Sequence, residues 1–171
     1  QLGALGGLGS LTPVAHGGSA RGLGHAIRVI EEASKECVST GFLLWAEYAL
    51  QWYVINSSNH ALAAEMLPKM ARGEVLGGTA QSNSMKSCVG IEEARLKAKR
   101  VDGGYVINGV LPWVSNIGLD HWFHMGATLP DTPGLVIGLM HGSTPGLTLA
   151  QNAHFIGMEG TNTFACQFRD V

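Results

Sequence analysis

The sequence predicts an α+β protein: an all-α N-terminal part over residues 1–73, then an antiparallel β-barrel or sandwich over residues 74–171. Three observations predict it. Apolar residues recur with helical spacing from Arg21 to about Arg72. That period stops at Gly73, a residue suited to ending a helix. Beyond it, short stretches alternate between apolar and polar residues and are separated by Gly- and Pro-containing turns, with no helical segment between them.

The elements follow in order. Ala26, Ile27, Val29, Ile30, Ala33 and Cys37 place apolar groups on one face of a first helix, with Glu31, Glu32, Lys35 and Glu36 on the other. Ser39 or Thr40 is expected to cap a second helix. Phe42, Leu43, Leu44, Trp45, Tyr48, Ala49, Trp52 and Tyr53 make it apolar nearly all round, the pattern of a buried helix. Ser58 or Asn59 is expected to cap a third helix running to Met66 or Leu67, with Pro68 opening one more short turn and Gly73 closing it. A strand is expected over Gly77–Asn83, ending in small and hydroxyl residues. Ala94–Val101 and Tyr105–Gly109 form a hairpin around Asp102-Gly103-Gly104. Leu111–Asn116 reads as strand, and further strands are expected at Trp122–Thr128, Leu135–Met140, Leu147–Gln151 and Thr163–Phe168.

Composition narrows the function. Among 171 residues, 46% are apolar and only 14% charged, and 11 Lys and Arg stand against 13 Asp and Glu. Such a chain buries a core, and it shows no basic patch for nucleic acid. Three scattered cysteines, Cys37, Cys88 and Cys166, have neither disulfide-framework nor metal-ligand spacing. They read as reduced thiols, and the expected location is cytoplasmic. Gln1–Ser10 is Gly-rich without the basic start of a signal peptide. The apolar run Gly41–Ile55 is broken by Glu47 and Gln51, so no membrane span is expected. Gly3, Gly6, Gly7 and Gly9 do not form the Gly-x-Gly-x-x-Gly pattern of a dinucleotide site. No Gly-x-Ser-x-Gly elbow anchors a hydrolase triad, and His121 and His124 would point to opposite faces of a strand, which argues against a metal there.

Two segments point to chemistry. Thr79, Gln81 and Ser82 lie in one; Trp113 and Ser115 lie in the other, two residues apart on one strand face. An indole wall beside a hydroxyl donor suits a planar heteroaromatic ligand. A strand Trp is also, more often than not, a core residue.

The chain resembles the acyl-CoA dehydrogenase family in five ordered stretches. These are Met66-Leu67-Pro68-Lys69-Met70-Ala71-Arg72-Gly73-Glu74; Gly104–Gly109 followed by Trp113-Val114-Ser115-Asn116; Thr144-Pro145-Gly146-Leu147; Gly157–Thr163; and Phe168-Arg169-Asp170-Val171. The resemblance implies an FAD enzyme of three domains: N-terminal helices, a middle β-barrel and a C-terminal helical bundle. On this comparison the start of the helical domain and the C-terminal bundle are missing from the sequence. Trp113 then takes the place of the Trp beside the isoalloxazine ring, and Ser115 that of the hydroxyl near flavin N5. Ser82 takes that of the Thr at the pyrimidine end, flanked by Thr79 and Gln81. Ser87, or Cys88 beside it, is matched to the substrate-contacting Ser. No catalytic residue of the family falls in this chain. The resemblance further implies α,β-dehydrogenation of an acyl-CoA or related thioester, with electrons passing to a flavoprotein acceptor in a homo-oligomer that touches neither nucleic acid nor membrane.

Departures from the family pattern fall in the loop after Ser82, which reads Asn83-Ser84-Met85-Lys86-Ser87-Cys88-Val89 without the family's Pro and Gly residues, and at Glu159, where the family has Arg. The altered loop keeps two other readings open: a flavin-dependent oxidase or monooxygenase on the same scaffold, and a non-catalytic fragment.

Overall fold

The computed structural model describes residues 2–151 and 153–171. The chain divides into two compact units, Gln1–Gly78 with Phe155–Thr161, and Thr79–His154 with Asn162–Val171.

The first unit is helical. α1 (Leu23–Glu36) and α2 (Val38–Ile55) are separated by Cys37 alone. Cys37 is extended, with φ −152° and ψ 111°, and its N–H closes α1 on the Ala33 carbonyl. The break is therefore earlier than the sequence predicts. Neither Ser39 nor Thr40 caps α2, because the backbone already turns at Cys37 and the helix begins at Val38. The two helices approach closely where α2 has Gly41. A Cβ there would overlap Ser34 Oγ and lie 3.0 Å from Ser34 Cβ, so the absent side chain sets the approach. Leu8 and Leu11 from the preceding turns join Ala26, Leu44 and Tyr48 in a core cluster.

α2 reverses the expectation drawn from hydropathy. Glu47 and Gln51 are 2% and 0% exposed, whereas Trp45 and Trp52 are 47% and 46% exposed. Glu47 faces inward because its carboxylate accepts the Gly77 N–H at 2.8 Å, and Gln51 accepts the Thr12 hydroxyl at 3.3 Å. A buried polar group is tolerated where it satisfies a backbone donor that would otherwise stay unpaired.

α3 (His60–Arg72) is capped as predicted, with Asn59 Oδ1 accepting the Leu62 N–H at 3.0 Å. It ends at Gly73, whose φ of +72° is the left-handed value a helix C-terminus favours. Pro68 does not open a new turn but lies inside the helix. Burial of Met66, Leu67, Met70 and Ala71 on both sides of it outweighs the missing backbone hydrogen bond.

After α3 the chain forms a seven-stranded sheet, which the second unit carries from Thr79 onward. Its strands are β1 (Gly77–Ala80), β2 (Leu96–Val101), β3 (Gly104–Val114), β4 (Trp122–Thr128), β5 (Leu135–His141), β6 (Leu147–Ala150) and β7 (Phe164–Phe168). The order is β1-β4-β2-β3-β7-β6, with β5 paired to β4. The predicted hairpin closes at Val101↔Gly104, and the last four predicted strands are found to within about one residue at each end. The sheet is not purely antiparallel, as the sequence predicts, but mixed: β2 and β4 pair in parallel at Lys97↔Thr128. Two chain reversals, one at residues 102–103 and one over residues 115–121, return β4 to the direction of β2. The core holds Leu96, Ala98, Ile107, Leu111, Val114, Ile117, Phe123, Met125, Ala127, Cys166 and Phe168.

The segment after β1 also differs from expectation. The strand ends at Ala80, and Ser82–Cys88 forms a short helix, α4. Gln81 takes helical backbone angles, and its carbonyl accepts the Met85 N–H at 2.9 Å, closing the first turn. The side chains of Gln81, Asn83 and Ser84 hold that turn in place, as described below.

Candidate functional site

Trp113 is presented by a defect in the sheet. β3 pairs with β7 at Leu111↔Cys166 and next at Val114↔Phe164, so β3 carries one residue more than β7 across this interval. Pro112 lies in it and has no N–H to give the ladder. The resulting bulge lets Leu111 and Val114, three apart, both face the core, at 4% and 1% exposure. Trp113 is turned outward and is 69% exposed. An indole this exposed on a strand is not part of the core.

Trp113 borders a small cavity of about 160 Å³. Leu111 and Pro112 continue its wall, and Thr79 and Ser82 face it from β1 and α4, with Lys86, Glu92 and Arg95 around them. Thr79 Oγ1 is buried and has no hydrogen-bond partner among the described residues. A buried hydroxyl without a partner is costly in a native structure, so it marks a place where a ligand atom would be welcome. The volume is below the roughly 300–1,000 Å³ of a site that encloses a small molecule.

The structure brings Thr79, Ser82 and Trp113 to this cavity and places the other sequence-predicted residues elsewhere. Ser115 follows the end of β3, and its hydroxyl pairs with the Thr163 hydroxyl at 2.7 Å. Gln81 is 5% exposed and turns into the interior. Ser87 sits on α4 and does not line the cavity.

Sequence reasoning missed the group that supports this site. The Gln81 amide nitrogen donates to His124 Nδ1 at 2.6 Å, and the Ser84 hydroxyl bonds both the Gln81 side-chain oxygen and the Gln81 carbonyl, the latter at 3.0 Å. Asn83 ties the same turn to the chain entering β2. Its amide nitrogen donates to the Glu93 carbonyl at 2.9 Å and to Glu92 Oε1 at 3.1 Å, and its oxygen accepts the Arg95 N–H at 2.7 Å. His124 was visible in the sequence only as one of a pair with His121. The contact with Gln81 spans 43 positions and has no local signal.

Burial pushes the His124 imidazole down to about 4 from its ordinary 6.5. The folded state therefore holds the ring neutral where the unfolded chain would protonate it. Above pH 6.5 both states are neutral and the site makes no demand. As pH falls from 6.5 towards 4 the unfolded chain gains the proton first, and stability is lost. Thermal melts across that range are expected to fall less steeply for His124→Gln than for the parent; parallel slopes would contradict this assignment.

Comparisons with known proteins show what the chain is similar to. Residues 1–74 match the family described as acyl-CoA dehydrogenase, N-terminal domain. Isovaleryl-CoA dehydrogenase, mitochondrial, of Pongo abelii is 28% identical over 176 residues, covering 99% of this chain and 41% of that protein. Benzylmalonyl-CoA dehydrogenase of Aromatoleum aromaticum is 27% identical, covering 92% of this chain and 42% of that protein. The solved structure of butyryl-CoA dehydrogenase from Megasphaera elsdenii superimposes with a TM-score of 0.84 at 22% identity, covering 99% of this chain and 46% of that one. The chain thus spans less than half the length of the curated relatives it matches. No helix among the described residues is long and apolar enough to cross a membrane.

Proposed function

We propose that the chain belongs to the acyl-CoA dehydrogenase family and supplies part of the flavin site of a flavin-dependent oxidoreductase acting on an acyl thioester. The observation that carries this reading is Trp113. Its indole is held outward by the bulge at Pro112, beside the unpartnered hydroxyl of Thr79 and next to Ser82. Trp113 would cover one face of the ring, and Thr79 and Ser82 would bond polar atoms at its edge. Bound FAD supplies the two-electron acceptor for α,β-dehydrogenation of the thioester; this chain's residues bind and orient.

Glu92, the carboxylate at the cavity, is engaged by Asn83 at 3.1 Å and faces Lys86 at 3.7 Å, so we assign it no role as a base. The reading carries with it an acyl-CoA or related substrate, FAD as cofactor, a flavoprotein electron acceptor and a homo-oligomeric assembly. The unpaired thiols of Cys37, Cys88 and Cys166 favour a reducing compartment, the cytoplasm in this proposal.

Titration of the 171-residue chain with FAD, followed by the visible absorbance and the quenching of flavin fluorescence, tests the reading. The parent is expected to bind, and Trp113→Ala to weaken binding about tenfold or more, as loss of an aromatic anchor worth roughly 2 kcal/mol requires. Equal affinity of parent and variant, or a parent that neither perturbs the flavin spectrum nor quenches its fluorescence, would overturn it.

A further inference from the structure

We propose that Gln81, Ser84 and His124 form a buried positioning set that holds Ser82 at the cavity facing Trp113. The proposal deepens the flavin reading and rests on it for the nature of the ligand.

Four observations converge. Both ends of the Gln81 side chain are engaged, the nitrogen by His124 at 2.6 Å and the oxygen by Ser84. All three residues are at least nine-tenths buried, at 5%, 2% and 9% exposure for Gln81, Ser84 and His124. The amide nitrogen can only donate, so His124 Nδ1 accepts and the ring proton sits on Nε2. Gly126 lies two residues beyond His124 on the same face of β4. A Cβ at Gly126 would come 2.8 Å from Gln81 Oε1 and 2.9 Å from Ser84 Oγ, so this glycine clears the space in which the set is built.

The consequence falls on Ser82. It is the residue between Gln81, anchored to β4, and Asn83, anchored to residues 92–95. With both neighbours tied by side chains that point inward, Ser82 is left exposed at the cavity with little freedom to move. A short helix of seven residues has little stability of its own. Its placement against β4 therefore depends on these buried bonds. Gln81, Ser84 and His124 do not touch the ligand; they act through Ser82.

The test compares two substitutions of His124 in the full chain. His124→Leu removes the acceptor, whereas His124→Gln keeps an oxygen that can accept from Gln81. FAD affinity is expected to fall about tenfold in His124→Leu and to stay within about threefold of the parent in His124→Gln. Gln81→Met, which removes the same bonds from the other side, is expected to behave as His124→Leu does. If the two His124 variants bind alike, whether tightly or weakly, the proposal is wrong. If the parent takes up no FAD, the flavin reading fails, and amide hydrogen exchange at Met85, whose N–H bonds the Gln81 carbonyl, decides the positioning set alone. Exchange is then expected to quicken in His124→Leu and Gln81→Met but not in His124→Gln; equal rates in all overturn it.

Discussion

Gly109→Ala is expected to cost the β-sheet unit several kcal/mol of stability, although it adds a single methyl group. Gly109 sits in β3 at φ +142°, a region that residues with a Cβ avoid. Backbone strain of this kind costs roughly 1–3 kcal/mol. Space is lacking as well. The new Cβ would overlap the Arg95 carbonyl oxygen and lie 3.0 Å from its carbon and 3.1 Å from Leu96 Cα. All three atoms are backbone, and Leu96 is the ladder partner of Gly109, so no rotamer change relieves the clash. The strands must separate where Leu96, 1% exposed, enters the core. Gly104→Ala, in the same strand, is the control, since a Cβ there meets nothing within 4 Å. Urea unfolding should show a loss of about 3 kcal/mol or more for Gly109→Ala and almost none for Gly104→Ala. Similar midpoints for the two would show that the close approach at Arg95 does not exist.

Phe123→Ala is the second large effect. Phe123 is 0% exposed on β4 and packs edge-on against Phe168 of β7, with ring centroids 6.2 Å apart at 74°. Truncating a buried Phe typically costs about 3–5 kcal/mol, from lost burial and the cavity left behind. The aromatic pair adds a term that area alone does not capture, of roughly 0.5–1.5 kcal/mol. A double-mutant cycle with Phe168→Ala isolates it. The single variants should each be strongly destabilised, and the double variant less so than their sum. Strict additivity would mean that the rings do not interact. Ile137→Ala on β5, where the side chain is 59% exposed, should change stability by no more than about 0.5 kcal/mol.

Much of the framework was legible in the sequence because its causes are local. The cap at Asn59, the left-handed stop at Gly73 and the hairpin at Val101↔Gly104 each depend on a few neighbouring residues. The strands from Trp122 onward are bounded by turn residues whose backbone preferences hold in any surroundings. The resemblance to the acyl-CoA dehydrogenases was legible for the same reason: its motifs are short runs in order. Trp113 could be singled out as an indole near a hydroxyl, but not as an exposed one. Pro112 was visible, yet that it opens a bulge depends on how β7 pairs beside it.

By itself, then, the sequence determined the order of elements, helices and then strands, and the identity of the aromatic at the site. Only the tertiary structure decided which polar residues turn inward, that β2 and β4 run in parallel, and that Gln81 reaches His124 rather than the cavity. The physical reason is common to all three. Each is settled by a partner distant in sequence, Gly77 for Glu47, Thr128 for Lys97 and His124 for Gln81. Hydropathy and propensity describe a residue and its neighbours, whereas a buried hydrogen bond rewards whichever distant group the fold brings within reach.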